Sequence, residues 1–192
     1  MVGMLRALLL AIAIASQASF ARAQAPDEPV TFHGLTFPAN IAGAERFSVR
    51  DYETDHPGLG YSVGYRQPGA VSTVYIYDLK RRDIPDDPSA PAIKAEFEAA
   101  KGDMMSVLQQ GLYSKVEPKE QFWAADAHNR TRLLCGAATV VRIDRPEELA
   151  SYLCVGGWNG RFIKFRITGA QLPEASVRRF LQAWMDVLWP TG

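Results

Sequence analysis

The chain has 192 residues, with 21 basic and 21 acidic side chains and 47% hydrophobic residues. That balance is ordinary for a globular protein and argues against nucleic acid or an anionic membrane as the main partner. Two cysteines and three histidines, none at metal-ligand spacing, exclude a zinc site.

Residues 1–23 read as a secretory signal peptide. Arg6 supplies a short positive start, Ala7 to Ala15 an apolar run, and Ala21-Arg22-Ala23 the small residues that precede cleavage before Gln24. The apolar run is too short to span a bilayer, so no stable membrane insertion is expected after cleavage. No cysteine lies near the cleavage point, so no lipid anchor is indicated. From 21 basic and 21 acidic residues, loss of Arg6 and Arg22 leaves a formal charge of −2. The expected location is the bacterial periplasm or the exterior, with one domain over 24–192 and a disordered polar lead-in over 24–30.

Strands come first. Phe32 to Phe37 reads as one strand stopped by Pro38, and Ala44 to Tyr52 as a second. A turn at Asp55-His56-Pro57-Gly58 leads to a third, Gly60 to Arg66. Pro68-Gly69 suits the centre of a type II turn into a fourth, Val71 to Leu79. That loop sets Val63 opposite Val74 and Tyr61 opposite Ile76. The reverse face then carries Ser62 and Gly64 against Thr73, Tyr75 and Tyr77, either as cross-strand packing or as the floor of a shallow groove.

A charged, proline-punctuated linker starts at Lys80. Ile93, Phe97, Ala100, Met104, Leu108 and Leu112 then step by three or four, which predicts a helix of about five turns. Asp87 or Ser89 is its expected N-cap. A polar strand over Lys115 to Ala125 follows, and then a three-strand meander from Arg130 to Thr168. Asn159-Gly160 has the chemistry of a two-residue hairpin loop. It puts Cys154 opposite Phe165, pointing inward with Ile163 and Ile167. Pro146 cannot donate to a ladder and is expected in the loop before that hairpin. A last helix, Pro173 to Trp189, carries Val177, Phe180, Leu181, Trp184 and Leu188 on one side. The order predicts an α+β fold: a largely antiparallel sheet of about seven or eight strands flanked by two main helices.

Cys135 and Cys154 fall on adjacent strands. Any odd register sum between those strands puts both on one face, with Leu133, Ala137 and Val141. In an exported chain this suggests a Cys135–Cys154 disulfide; two buried free thiols are the alternative. Nothing points to redox catalysis.

Catalytic signals are sparse. No Gly-x-Ser-x-Gly or phosphate-cradling glycine loop is present. Asp126-Ala127-His128-Asn129 resembles part of an acid–base pair but reads first as a polar turn, as does His56 before Pro57. Asp83, Asp86 and Asp87 lack calcium-loop spacing. Gly156-Gly157 suggests room for a neighbouring ring or a bulge. No cofactor and no metal is expected. Arg46, Arg50, Arg66, Lys164 and Arg166 lie on the polar sides of strands. They are either solvated faces or, with Tyr75 and Tyr77, a patch that grips an anionic ligand or partner. Arg66, Tyr75 and Tyr77 are its candidate partner-binding residues.

Gly34-Leu35-Thr36-Phe37-Pro38, Gly58 to Tyr65, Val74-Tyr75-Ile76-Tyr77-Asp78 and Phe162 to Arg166 resemble segments of small, uncharacterised exported proteobacterial proteins. The element order resembles the PsbP-like and DcrB-like group. That resemblance implies a central antiparallel sheet flanked by helices and an accessory or binding role, and it transfers no functional residue. The expected function is therefore a periplasmic, non-enzymatic accessory module that binds a protein or envelope component. An envelope-acting hydrolase and a small-molecule carrier are the alternatives.

Overall fold

The structure is a computed structural model that describes residues 28–109, 111–170 and 172–190. The signal segment and the first residues of the lead-in lie outside these. Ten strands and two helices are present among the described residues: β1 (Val30–Phe32), β2 (Leu35–Phe37), β3 (Asn40–Ile41), β4 (Ala44–Asp51), β5 (Tyr61–Gln67), β6 (Ala70–Tyr77), α1 (Pro91–Gln109), β7 (Tyr113–Ala125), β8 (Thr131–Arg142), β9 (Arg145–Trp158), β10 (Arg161–Gly169) and α2 (Glu174–Leu188). Eight strands form one antiparallel sheet in the order β3-β4-β5-β6-β10-β9-β8-β7, and β1 and β2 form a separate hairpin. The chain is α+β, as its patterning indicates.

The single strand expected over Phe32 to Phe37 is that hairpin. His33 and Gly34 both take positive φ and reverse the chain between Phe32 and Leu35. The lead-in also becomes ordered early. Val30 is buried and pairs with Phe37, and the carbonyl of Glu28 accepts a hydrogen bond from Arg46.

The Asn159-Gly160 loop has positive φ at both residues and sets Trp158 against Arg161. The Pro68-Gly69 loop likewise sets Val63 against Val74. Between β8 and β9 the register places Cys135 opposite Cys154, with their sulfurs at 2.10 Å. Pro146 does not sit in the loop. The turn is only Ile143-Asp144, and Pro146 lies within β9 where the register shifts between Val141 and Arg142. A bulge leaves a residue outside the ladder, so a missing N–H costs nothing there.

Both faces are buried at β8, β9 and one end of β6 and β10, which the alternation of β10 alone does not reveal. On one face Ile163, Phe165, Ile167, Val63, Tyr65 and both cysteines meet the stripe of α2. Trp184 stands at the centre, its ring 5.5 Å from Phe37, 5.7 Å from Tyr65 and 6.1 Å from Phe165. On the other face Ile93, Phe97 and Ala100 of α1 cover Tyr77, Leu134, Leu153, Val155 and Phe162. Met104 extends that contact to Ala138 and Val140.

α1 begins later than its sequence signals suggest. Asp87 folds onto Ser89 through its side chain, the carbonyl of Ala90 accepts from Lys94, and Pro91 is the first helical residue. Neither Asp87 nor Ser89 is the N-cap; proline at the first position is pre-set for the helix and forgoes an N–H that would be unpaired there. Leu112 lies past the end of the helix and is exposed.

Gly157 makes room for backbone rather than for a ring. A Cβ there would lie 1.8 Å from the Pro85 carbonyl oxygen, because the linker into α1 crosses the sheet over this residue. Gly157→Ala should therefore lower stability by about 1–3 kcal/mol. Gly102→Ala, on an open helix surface with nothing within 4 Å, should raise it by up to about 1 kcal/mol. Urea denaturation of both variants checks the contrast. Mass spectrometry of the non-reduced native protein should find no alkylatable thiol, and the Cys135→Ala/Cys154→Ala pair should lose about 3 kcal/mol.

Candidate ligand-binding face

Helix α1 lies over β7–β9 and the Tyr77–Phe162 end of the neighbouring strands. The same face of β4, β5, β6 and most of β10 has no helix above it. Its side chains are fixed by register. One row runs Arg50, Ser62, Tyr75, Lys164 across four strands. The next runs Ser48, Gly64, Thr73, Arg166. Beyond it lie Arg66, Val71 and Thr168. Small hydroxyl residues and glycine form the floor, and cations and rings stand up from it.

Lys164 is central. Its Nζ lies 5.0 Å from the Tyr75 ring centre and 4.9 Å from that of Tyr77. Burial pushes its ammonium below the ordinary lysine value, and Arg166 adds to this; Glu96 and Asp103 on α1 oppose it. The Tyr75 phenol is pushed up, first by burial and then by Tyr52, while Arg166, Thr73 and Arg50 pull it back. Two arginines from different strands thus act on one hydroxyl. Among the described residues neither Arg50 nor Arg166 is paired with a carboxylate.

Of the three patch residues expected from sequence, two belong to the open face. Tyr75 is half-buried at its middle, and Arg66 stands at one end with its guanidinium 4.4 Å from the Phe47 ring centre. Tyr77 does not face solvent. It is 5% exposed beneath α1, and its hydroxyl donates to Glu96. Burial, with Glu96 beside it, pushes that phenol far up. Arg46 also leaves the patch: it is buried on the α2 side and donates to the Phe37 carbonyl at 2.8 Å. Sequence reasoning missed Tyr52, whose hydroxyl accepts from Ser62 at 3.4 Å. The register that sets Ser62 beside Arg50 was the missing signal.

Two of the clefts among the described residues bear on the sheet faces. One of about 600 Å³ adjoins the open face and includes Arg66, Val71, Tyr113, Arg145 and Thr168. The other, about 520 Å³, lies between α2 and the β7 edge, above Phe122, Tyr152, Val177, Leu181 and Met185.

The histidines are dispersed. His33 sits in the β1–β2 turn, its ring centre 5.4 Å from that of Tyr61, and is held below the ordinary histidine value by burial and by Arg161, with Glu53 and Asp78 opposing. His128 is exposed in the β7–β8 turn and His56 in the turn before β5. The Asp126–His128 resemblance to an acid–base pair dissolves in the structure. The buried Asp126 carboxylate accepts from the His128 and Arg130 backbone N–H groups and from the Arg130 and Arg132 side chains. It caps a turn. Asp83 pairs with Arg81 and Asp87 with Ser89. Among the described residues no group of three histidine, cysteine or acidic side chains could hold a metal ion, and no helix is long and apolar enough to cross a membrane.

No family model matches the chain, and no curated protein matches it. Among solved structures it is similar to cyanobacterial PsbP (CyanoP) from Synechocystis, at 14% identity and a TM-score of 0.44, over 81% of this chain and 87% of that one.

Asp126 yields a test of the turn. Burial alone would raise its carboxyl, but the four donors outweigh it and hold the group well below its ordinary 3.8. The stabilisation is therefore complete above that value and is lost as pH falls below it. Asp126→Asn should cost about 2 kcal/mol at neutral pH. Thermal melts should show the wild type losing stability more steeply than this variant below about pH 4.

Proposed function

We propose that this chain is an exported, non-enzymatic binding protein that holds an anionic protein or envelope component on the open half-face. The observation that carries the reading is the row Arg50, Ser62, Tyr75, Lys164 with Arg166 beside it. Like charges gathered on one uncovered face repel each other and attract an anionic partner. The paired cysteines support an oxidising compartment, hence export.

A hydrolase would need a histidine oriented by a carboxylate near a nucleophile. Among the described residues no histidine ring donates to a carboxylate. The β7–β8 turn with His128 stands four strand spacings from β5, beside which His33 lies, about 19 Å. A carrier reading draws on the cleft above Phe122 and Tyr152, whose floor is apolar and whose volume suits a small ligand. Its ligand would displace a dye held against α2 and leave the basic face untouched.

The combined Arg66→Ala and Tyr75→Ala variant should lose partner capture in a periplasmic crosslinking pull-down. Its thermal midpoint should fall only modestly, since Tyr75 packs partly against the Tyr77–Phe162 cluster and Arg66 covers Phe47, and the fold should persist. Undiminished capture rejects the face.

A further inference from the structure

We infer that Arg50, Arg166 and the Tyr75 hydroxyl form a receptor for a phosphomonoester dianion. The inference rests on the binding reading above for its choice of face. Tyr75 lies on β6. Arg50 is in its row, two strands away through Ser62, and Arg166 is on the adjoining strand, one row along. At about 4.8 Å between strands and about 3.4 Å per residue, both arginine Cα atoms lie roughly 8–10 Å from that of Tyr75. That separation is within the span of an extended arginine side chain, and the charges of both arginines favour the ionised phenol.

Charge accounting favours a dianion. Lys164 lies over the Tyr75 and Tyr77 rings, with Glu96 and Asp103 on α1 favouring its charge, and Glu96 also accepts from Tyr77. Glu45 stands opposite Arg66 at the far end of the face. Arg50 and Arg166 have no such counterpart among the described residues. Two uncompensated guanidinium forks match the two charges and several acceptor oxygens of a phosphomonoester better than the single charge of a carboxylate. Tyr75 and Tyr52 supply hydroxyls that can donate, with Ser62 already donating to Tyr52 and Thr73 bonded to Tyr75. With no helix above it, the site admits a phosphate on a lipid headgroup as readily as a free one.

The test titrates the purified protein with methyl phosphate, inorganic phosphate and acetate at constant ionic strength, followed by calorimetry and amide chemical shifts. Both phosphates should saturate, with shifts centred on Arg50, Tyr75 and Arg166. Affinity should rise between about pH 5.5 and about pH 7.5 as the phosphate takes its second charge. Arg50→Gln with Arg166→Gln should weaken binding about tenfold or more and leave the thermal midpoint in place. Arg145→Gln, in the adjoining cleft, should change nothing. Co-sedimentation with phosphatidylcholine vesicles containing phosphatidic acid would identify a lipid headgroup as the source; response to soluble phosphate alone would identify the free ion. Acetate binding equal to phosphate, or full phosphate affinity in the double variant, overturns the inference. Partner capture that survives the double variant, with no phosphate response in the wild type, discards the phosphate receptor and leaves the binding reading standing.

Discussion

An eight-stranded sheet is wider than any one helix can cover. At about 4.8 Å per spacing its width is about 34 Å, against about 10 Å for a helix. This chain has two helices and puts them on opposite faces, offset from each other. The connections dictate the offset. Linker 78–90 leaves β6 in the middle of the sheet, crosses β9 at Gly157 and delivers α1 toward the β7 side. Helix α2 leaves β10, also central, and turns to the other face over Phe165 and Tyr65. Each helix therefore leaves half a face without cover, and the side chains there must be compatible with water or with a ligand.

The two uncovered halves solve this differently. Beside α2 the β7–β8 end keeps apolar side chains, and a cleft remains over Phe122 and Tyr152. Beside α1 the β4–β6 and β10 half is polar, and cations stand on it. Lys164 shows how such a surface is tolerated at the boundary. Its ammonium lies 5.0 Å from the Tyr75 ring centre and 4.9 Å from that of Tyr77, and Glu96 and Asp103 on the helix favour its charged form. Arg166, one row further from α1, has no such flank.

Much of this was legible in the chain, and the boundary of what was legible is physical. Hairpins are local, so Asn159-Gly160 and Pro68-Gly69 fixed the partners of Cys154 and Val63 from sequence alone. The odd register sum was enough to bring Cys135 to the face of Cys154. The β6–β10 pairing joins strands separated by α1 and the whole meander, and no local residue encodes it. Without it, Lys164 and Tyr75 could not be placed in one row. Arg46 misled because alternation along β4 breaks at a register shift between Arg46 and Ser48, which swings Phe47 outward and Arg46 inward. Tyr77 misled for a different reason: a strand pattern says which face a ring occupies and not whether a helix lies above it. The loop expected at Pro146 follows from a rule that holds for regular ladders and lapses at a bulge.

That same bulge limits where a ligand can sit. Phe47 lies over Gly64, where an added Cβ would come within 2.9 Å of its ring, and Arg66 covers Phe47 in turn. The Arg66 end of the trough is therefore filled by the protein itself, with Glu45 opposite. At the other end Tyr77 is closed over by α1. What stays accessible is the middle, where Tyr75 stands between Arg50 and Arg166. The five basic residues picked out on strand faces thus reduce to one pair without a carboxylate or ring partner among the described residues. That pair is defined by a bulge on one side and a helix on the other, so a ligand that recognises this face has to engage the chemistry of two guanidiniums and a phenol.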